Sequence, residues 1–248
     1  MHQIDKRIHY VIMTDTETCN TLINDKGGLD MSSTFVYDIG WAVCDKRGRV
    51  YETKSYIVDE IFNKEKTLMN EAFYSNKIPQ YLDEIAKGER IVASYYAIRK
   101  DFLDTMERYN TKIVCAHNSR FDYNATNHTQ RWLTKSKYRY FFPKDVVIWD
   151  TLKMARDVIV PTKSYQDFCK ANGYMTKHKT PRPQATAEVI YRYITGTNEF
   201  VESHTALEDV LIEVKILAYC FAKHRPMAKG VWEKSKRGTK YRIVEMVA

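Results

Sequence analysis

The sequence predicts an α/β protein in which helices flank a single mixed sheet. Three patterns carry this. Three strand-like runs follow one another near the N-terminus, two short apolar runs at 112–117 and 145–150 are separated by a helical stretch, and helical periodicity dominates afterwards. The 248 residues are 44% hydrophobic and 28% charged, with nine Gly and six Pro. That is the profile of an ordered chain able to bury one sizeable core.

In chain order, residues 8–14 are rich in β-branched and aromatic side chains and read as a strand. "FVYDIGWAVCD" (35–45) and "VYETKSYIV" (50–58) follow, joined by the turn signal "DKRG", so the three should form an antiparallel meander. From 63 to about 88 the spacing turns helical, and a second helix is expected over 94–109. "KIVCAH" (112–117) and "DVVIWD" (145–150) suit buried parallel strands connected through a helix over 120–133. Further helices are expected over 151–158, 164–172, 186–194 and 206–224. The end of the chain is basic, "KGVWEKSKRGTKYR", and then alternates in "YRIVEMV", which reads as a terminal hairpin or an extended arm. The expected division is a main domain over 1–225 and a basic tail over 226–248.

Neither the N-terminal apolar run nor "ILAYCFA" is long enough to span a membrane, so a cytoplasmic protein without membrane association is expected. The five cysteines are scattered and never form a C-x-x-C pair, which argues against a disulfide framework or a zinc knuckle. A net charge of +8 makes a polyanion, nucleic acid first, the expected partner.

Four carboxylates stand out. Asp15 and Glu17 in "VIMTDTETC" lie two residues apart, which places both on one face of an extended chain. Like charges that close are costly unless a cation lies between them, and carboxylates suit Mg²⁺ or Mn²⁺. Asp122 in "CAHNSRFDYNAT" opens a helix, where Ser119 three residues earlier also fits a capping pair. Asp209 lies in the first turns of a long helix among Leu207, Val210 and Leu211. His204 stands five positions before Asp209, and on one helix the two would diverge by roughly 140°. Thr205 and Glu208 form a capping-box pair that would start the helix after His204 and leave the imidazole free to lean over Asp209.

In chain order, Asp15-x-Glu17, Asp122 in "HNSRFD" and His204-x-Ala206-x-x-Asp209 resemble the three motifs of the DEDDh (DnaQ-like) 3′-5′ exonucleases. "DIGWAV" and "WDTLKMAR" look like the family's intervening segments, and the resemblance covers about 8–222. It implies a ribonuclease H-like fold, with Asp15, Glu17, Asp122 and Asp209 carrying two Mg²⁺ or Mn²⁺ ions and His204 acting as general base. It further implies release of nucleoside 5′-monophosphates from single-stranded 3′ ends, with DNA favoured, and contacts to the terminal nucleotide from Thr16, Asn118 and Phe121. The alternatives are an RNA-directed exonuclease or a non-catalytic nucleic-acid-binding or polymerase-associated subunit. Asp150 in "WDTL" is expected to cap the following helix rather than bind metal, and His117 lacks the second histidine of an HNH-type nuclease. The long stretch between the first two motifs and the basic tail depart from the family pattern.

Overall fold

A computed structural model describes residues 4–19, 22–23, 29–30, 34–70, 72, 74–135 and 139–236. Strand β1 (Val11–Cys19) precedes a minimal ladder of β2 (Leu22–Ile23) and β3 (Leu29–Asp30), then β4 (Phe35–Cys44) and β5 (Val50–Val58). Short helices α1 (Asp59–Phe62) and α2 (Lys66–Asn70) and a 3₁₀ turn (Ser75–Lys77) lead into α3 (Ile78–Ala86). The order continues β6 (Ile91–Ala93), α4 (Tyr95–Arg108), β7 (Ile113–Ala116), α5 (Arg120–Leu133), β8 (Val147–Asp150), α6 (Thr151–Val158), α7 (Lys163–Ala171), α8 (Ala187–Thr195) and α9 (Ala206–Ala222).

The main sheet has the order β6-β5-β4-β1-β7-β8. β4 runs antiparallel to both of its neighbours, β1 and β5, while β7 runs parallel to β1, β8 parallel to β7 and β6 parallel to β5. This is the expected meander joined to parallel strands. All ten residues of β4 are buried, because both faces of the sheet are covered. Tyr37, Ile39, Trp41 and Val43 enter one core with Tyr81, Ile98 and Phe102, and Ala42 and Cys44 enter the other with Met154, Tyr165, Val210 and Leu217. The five cysteines are free and buried.

Three boundaries differ from the sequence expectation. β1 starts at Val11 rather than at residue 8 and continues to Cys19, because its pairing with β4 persists through Glu17 opposite Asp38 before a bulge at Thr18. The helical stretch over 63–88 is broken into α2, the 3₁₀ turn and α3, since Pro79 sits in the first turn of α3, a position that suits its missing N–H. β6 was not legible, as three residues are too few to show alternation.

The register places the acids. Residues directly opposite one another in an antiparallel pair share a face, and Asp15 lies opposite Gly40 while Glu17 lies opposite Asp38. By alternation these residues share the face of Ala42, which is covered by α9. The helix comes unusually close there. A Cβ added to Gly40 would stand 2.6 Å from the Leu207 nitrogen and 2.7 Å from its Cα.

Residues 228–231 run along the outer edge of β8, with Val231 N–H donating to the Ile148 carbonyl (3.0 Å) and Asp150 N–H to that of Lys229 (2.8 Å). The Ala228 amide donates to Asp157 (2.8 Å) and the Ser235 hydroxyl bonds the same carboxylate. "YRIVEMV" lies outside the described residues.

Gly40→Ala should therefore destabilise the protein by about 1–3 kcal/mol, since backbone rather than a flexible side chain must move. Urea unfolding checks this, and an unchanged midpoint would contradict the close approach.

Candidate active site

The site forms where the second half of β1 passes beneath the start of α9. Thr205 is the N-cap of α9, in extended conformation, with Ala206 the first helical residue. The capping box is realised only in part. Thr205 Oγ1 bonds the Glu208 carboxylate instead of a backbone amide, and the Ala206 N–H is taken by Asp38 Oδ2 (3.0 Å). Asp38 also accepts from Tyr81 Oη (2.9 Å) and Arg90 Nη1 (3.3 Å). Burial raises its pKa to about 6, against the lowering effects of Arg90, the Ala206 amide and Tyr81.

His204 sits in the loop before α9 with φ +51°, a left-handed backbone that non-glycine residues adopt at a cost of about 1–3 kcal/mol. That geometry turns the imidazole back over the helix. Among the described residues, one group of three has ligand atoms within 4.8 Å of one another: Glu17, His204 and Asp209. Ser203 Oγ approaches Asp209 Oδ1 at 3.4 Å, and the Glu202 carboxylate lies 3.8 Å from His204 Nδ1.

Asp15 and Asp122 complete the cluster. The charges of Asp122, Glu213, Glu17 and Asp209 all act on Asp15, although burial is the largest cause of its raised pKa. Asp15 is only half-buried, which tempers both effects without reversing the upward direction of its pKa. Burial dominates elsewhere too. It takes Glu17 to about 9, Asp209 to about 8 and Asp122 to about 7. For Asp122, the 2.8 Å bond from Thr16 Oγ1 works in the opposite direction. The His204 pKa is lowered, first by desolvation and then by the Lys77 ammonium, which favours the neutral ring. A set of buried carboxylates held above their ordinary range fits a divalent cation, which would restore the charged forms.

The remaining sequence-predicted residues are placed as follows. Thr16 is buried with its hydroxyl on Asp122. Asn118 is exposed with φ +69°, and its N–H donates to Asp150 Oδ1 (3.0 Å). Phe121 is half-buried at the start of α5. Asp150 caps α6 through Leu152 N–H (2.9 Å), in the role expected of it. Ser119 makes no side-chain cap to α5. His117 is half-buried, with its two ring nitrogens on the Thr151 hydroxyl (3.0 Å) and the Ala185 carbonyl (2.8 Å), a structural placement.

Sequence reasoning missed four residues at the site. Glu213 is 2% exposed, its Oε2 has no hydrogen-bond partner among the described residues, and burial together with Asp122 holds its pKa well above the carboxylate range. Its signal was available, four residues after Asp209 on one helix face. Glu202, Tyr74 and Lys77 had no local signal.

No family model matches the chain, and no curated protein matches it in sequence. Solved structures do. A full-length 3′-exonuclease superposes with TM-score 0.53 at 13% identity, over 90% of this chain and 85% of that one. The chain has the fold of the DEDDh 3′-exonucleases. The nuclease domain of 3′hExo, a DEDDh family member solved bound to rAMP, superposes with TM-score 0.50 at 12% identity, over 91% of this chain and 99% of that domain. The ribonuclease H-like mixed sheet thus agrees with the architecture described above. Among the described residues, no helix is long and apolar enough to cross a membrane.

The raised carboxylates tie stability to pH. In the ion-free folded protein Glu17, Asp209 and Asp122 hold protons that the unfolded chain releases near pH 4, so stability should fall as pH rises from about 5 through about 9. Melting in EDTA at pH 5.5, 7 and 8.5 should give a decreasing Tm. Mn²⁺ should raise Tm more at pH 8.5 than at 5.5, and Asp209→Asn should flatten both trends. A Tm independent of pH and of Mn²⁺ would contradict the cluster.

Proposed function

We propose that this protein is a metal-dependent 3′-5′ exonuclease of the DEDDh type, acting on single-stranded 3′ ends with DNA favoured and releasing nucleoside 5′-monophosphates. The observation that carries the reading is the convergence of Glu17, His204 and Asp209 within 4.8 Å, with Asp15 near enough to interact with Glu17, Asp209 and Asp122. The shared fold and the +8 net charge support it.

Asp15, Glu17, Asp122 and Asp209 would hold two Mg²⁺ or Mn²⁺ ions. When bound, such ions supply charge neutralisation for the phosphate and the leaving oxygen. The chain's own groups do the rest. His204 is the general base, accepting a proton from the attacking water on a ring that its surroundings keep neutral. Thr16 fixes the Asp122 carboxylate through its hydroxyl, leaving its backbone to the terminal nucleotide. Asn118 and Phe121, close to Asp122 in the chain around the start of α5, would contact the terminal sugar or base. Glu213, buried on α9 four residues beyond Asp209, is held towards its neutral form by burial and by the same acids.

The test uses 5′-labelled single- and double-stranded DNA and RNA with Mg²⁺, Mn²⁺ or EDTA. Wild type should shorten strands from the 3′ end, and EDTA should abolish this. Asp15→Ala, Glu17→Ala, Asp122→Ala and Asp209→Ala should each remove nearly all turnover in a folded protein, with double variants little worse than single ones. His204→Ala should lower turnover by about 10²–10⁴. Near-normal degradation by any carboxylate variant would remove that residue from the assignment.

The basic tail is proposed as a further strand contact. Trp232 is 66% exposed and lies edge-on to Tyr123, the neighbour of Asp122, at 5.7 Å. Because 228–236 is bonded to β8 and Asp157, the informative truncation is after Lys236, which removes Arg237, Lys240 and Arg242, all outside the described residues. It should weaken oligonucleotide binding and flatten its salt dependence by about 0.7 per lost phosphate contact, leaving turnover at saturation unchanged. Unaltered affinity and slope would make the removed residues a solvated surface.

A further inference from the structure

The segment between β5 and α3 belongs to the long stretch that departs from the family pattern, yet it reaches the site. The Tyr74 ring stacks on the His204 imidazole, with centroids 4.5 Å apart and planes inclined by 17°. Lys77, three residues on, places its Nζ 3.5 Å from the His204 carbonyl oxygen and 5.6 Å from the Tyr74 ring centroid. It takes no carboxylate partner within 4.0 Å among the described residues. Its charge is nonetheless felt at Glu17, Glu202, His204 and Asp209.

This position is not a loose one. Lys77 leads directly into α3, whose Tyr81 hydroxyl bonds Asp38, and Asp38 also accepts the first amide of α9. One carboxylate therefore anchors both the Tyr74–Lys77 segment and the helix that follows His204. An ammonium near several site groups and paired with none is placed to meet an anion that arrives with the substrate. An aromatic ring lying flat against an imidazole restricts its rotation.

We propose that residues 74–77 form a substrate clamp, in which Lys77 contacts a backbone phosphate at the 3′-terminal linkage and Tyr74 is a positioning residue that holds the His204 ring. This rests on the exonuclease reading. It extends that reading by giving the strand a cationic contact from the segment that leads into α3.

The experiment compares wild type with Lys77→Gln, Lys77→Arg, Tyr74→Phe and Tyr74→Leu, each checked for folding by thermal melting. Binding of a 5′-fluorescein single-stranded oligonucleotide is followed by anisotropy in EDTA across a salt series, and kcat and KM are measured with Mg²⁺. Lys77→Gln should weaken binding and reduce the slope of log affinity against log salt by about 0.7, with Lys77→Arg restoring it. Tyr74→Leu should lower kcat by at least about tenfold at unchanged KM, within the range a misplaced general base forfeits, with Tyr74→Phe near wild type. A wild-type salt slope in Lys77→Gln would overturn the phosphate contact, and a wild-type kcat in Tyr74→Leu would overturn the positioning role. A wild type that binds but never cleaves would overturn the exonuclease reading instead, and the binding series would still decide Lys77.

Discussion

The site depends on how the first turn of α9 is fixed to β4. Asp38 takes the leading amide of the helix, and Gly40, two residues along the same face, lets the Leu207 backbone descend to a distance that no side chain would permit. Asp38 is fully buried, so its charge needs partners, and Tyr81 and the 4%-exposed Arg90 supply them. Removing one partner of a buried, hydrogen-bonded ion pair typically costs about 3–5 kcal/mol. That is enough to hold a helix end in one place. Arg90 also reaches Glu84 and Glu208, so α3 and the first turn of α9 are joined through a single guanidinium.

From that anchor the other positions follow. Register puts Asp15 and Glu17 on the face beneath α9, the helix start turns His204 back over Asp209, and α5 brings Asp122 to the Thr16 hydroxyl. The outcome is electrostatically unfavourable in the absence of a cation. Desolvation is the largest influence on each of the clustered acids, and like charges add to it at Asp15, Glu17 and Asp209. A fold that tolerates such a cluster, together with a strained His204 backbone, has the character of a functional site rather than of an optimised core.

Much of this was legible in the sequence. α5 matches its expected span, β4 and β5 stand where the strand-like runs and the turn between them placed them, and the helix start after His204 was readable from Thr205 and Glu208. The capping chemistry was not, because the residue that takes the Ala206 amide is Asp38, on a different element and far away in the chain. Lys77 and Tyr74 escaped for the same reason. Their contacts to His204 are tertiary, and a broken helical stretch gives no local sign of which side chains face the site. Glu213 lay within reach, since its spacing from Asp209 is helical, but an acid in an apolar helix face has meaning only once the opposing acids of β1 are seen.

In the proposed reaction the carboxylates of β1, α5 and α9, with His204, direct water at the last phosphodiester of a strand. Product chemistry tests it most directly. A uniformly labelled single-stranded oligonucleotide incubated with the purified protein and Mg²⁺ should yield nucleoside 5′-monophosphates, released one at a time as the 3′ end recedes. Nucleoside 3′-monophosphates, internal fragments or an intact strand would contradict the account.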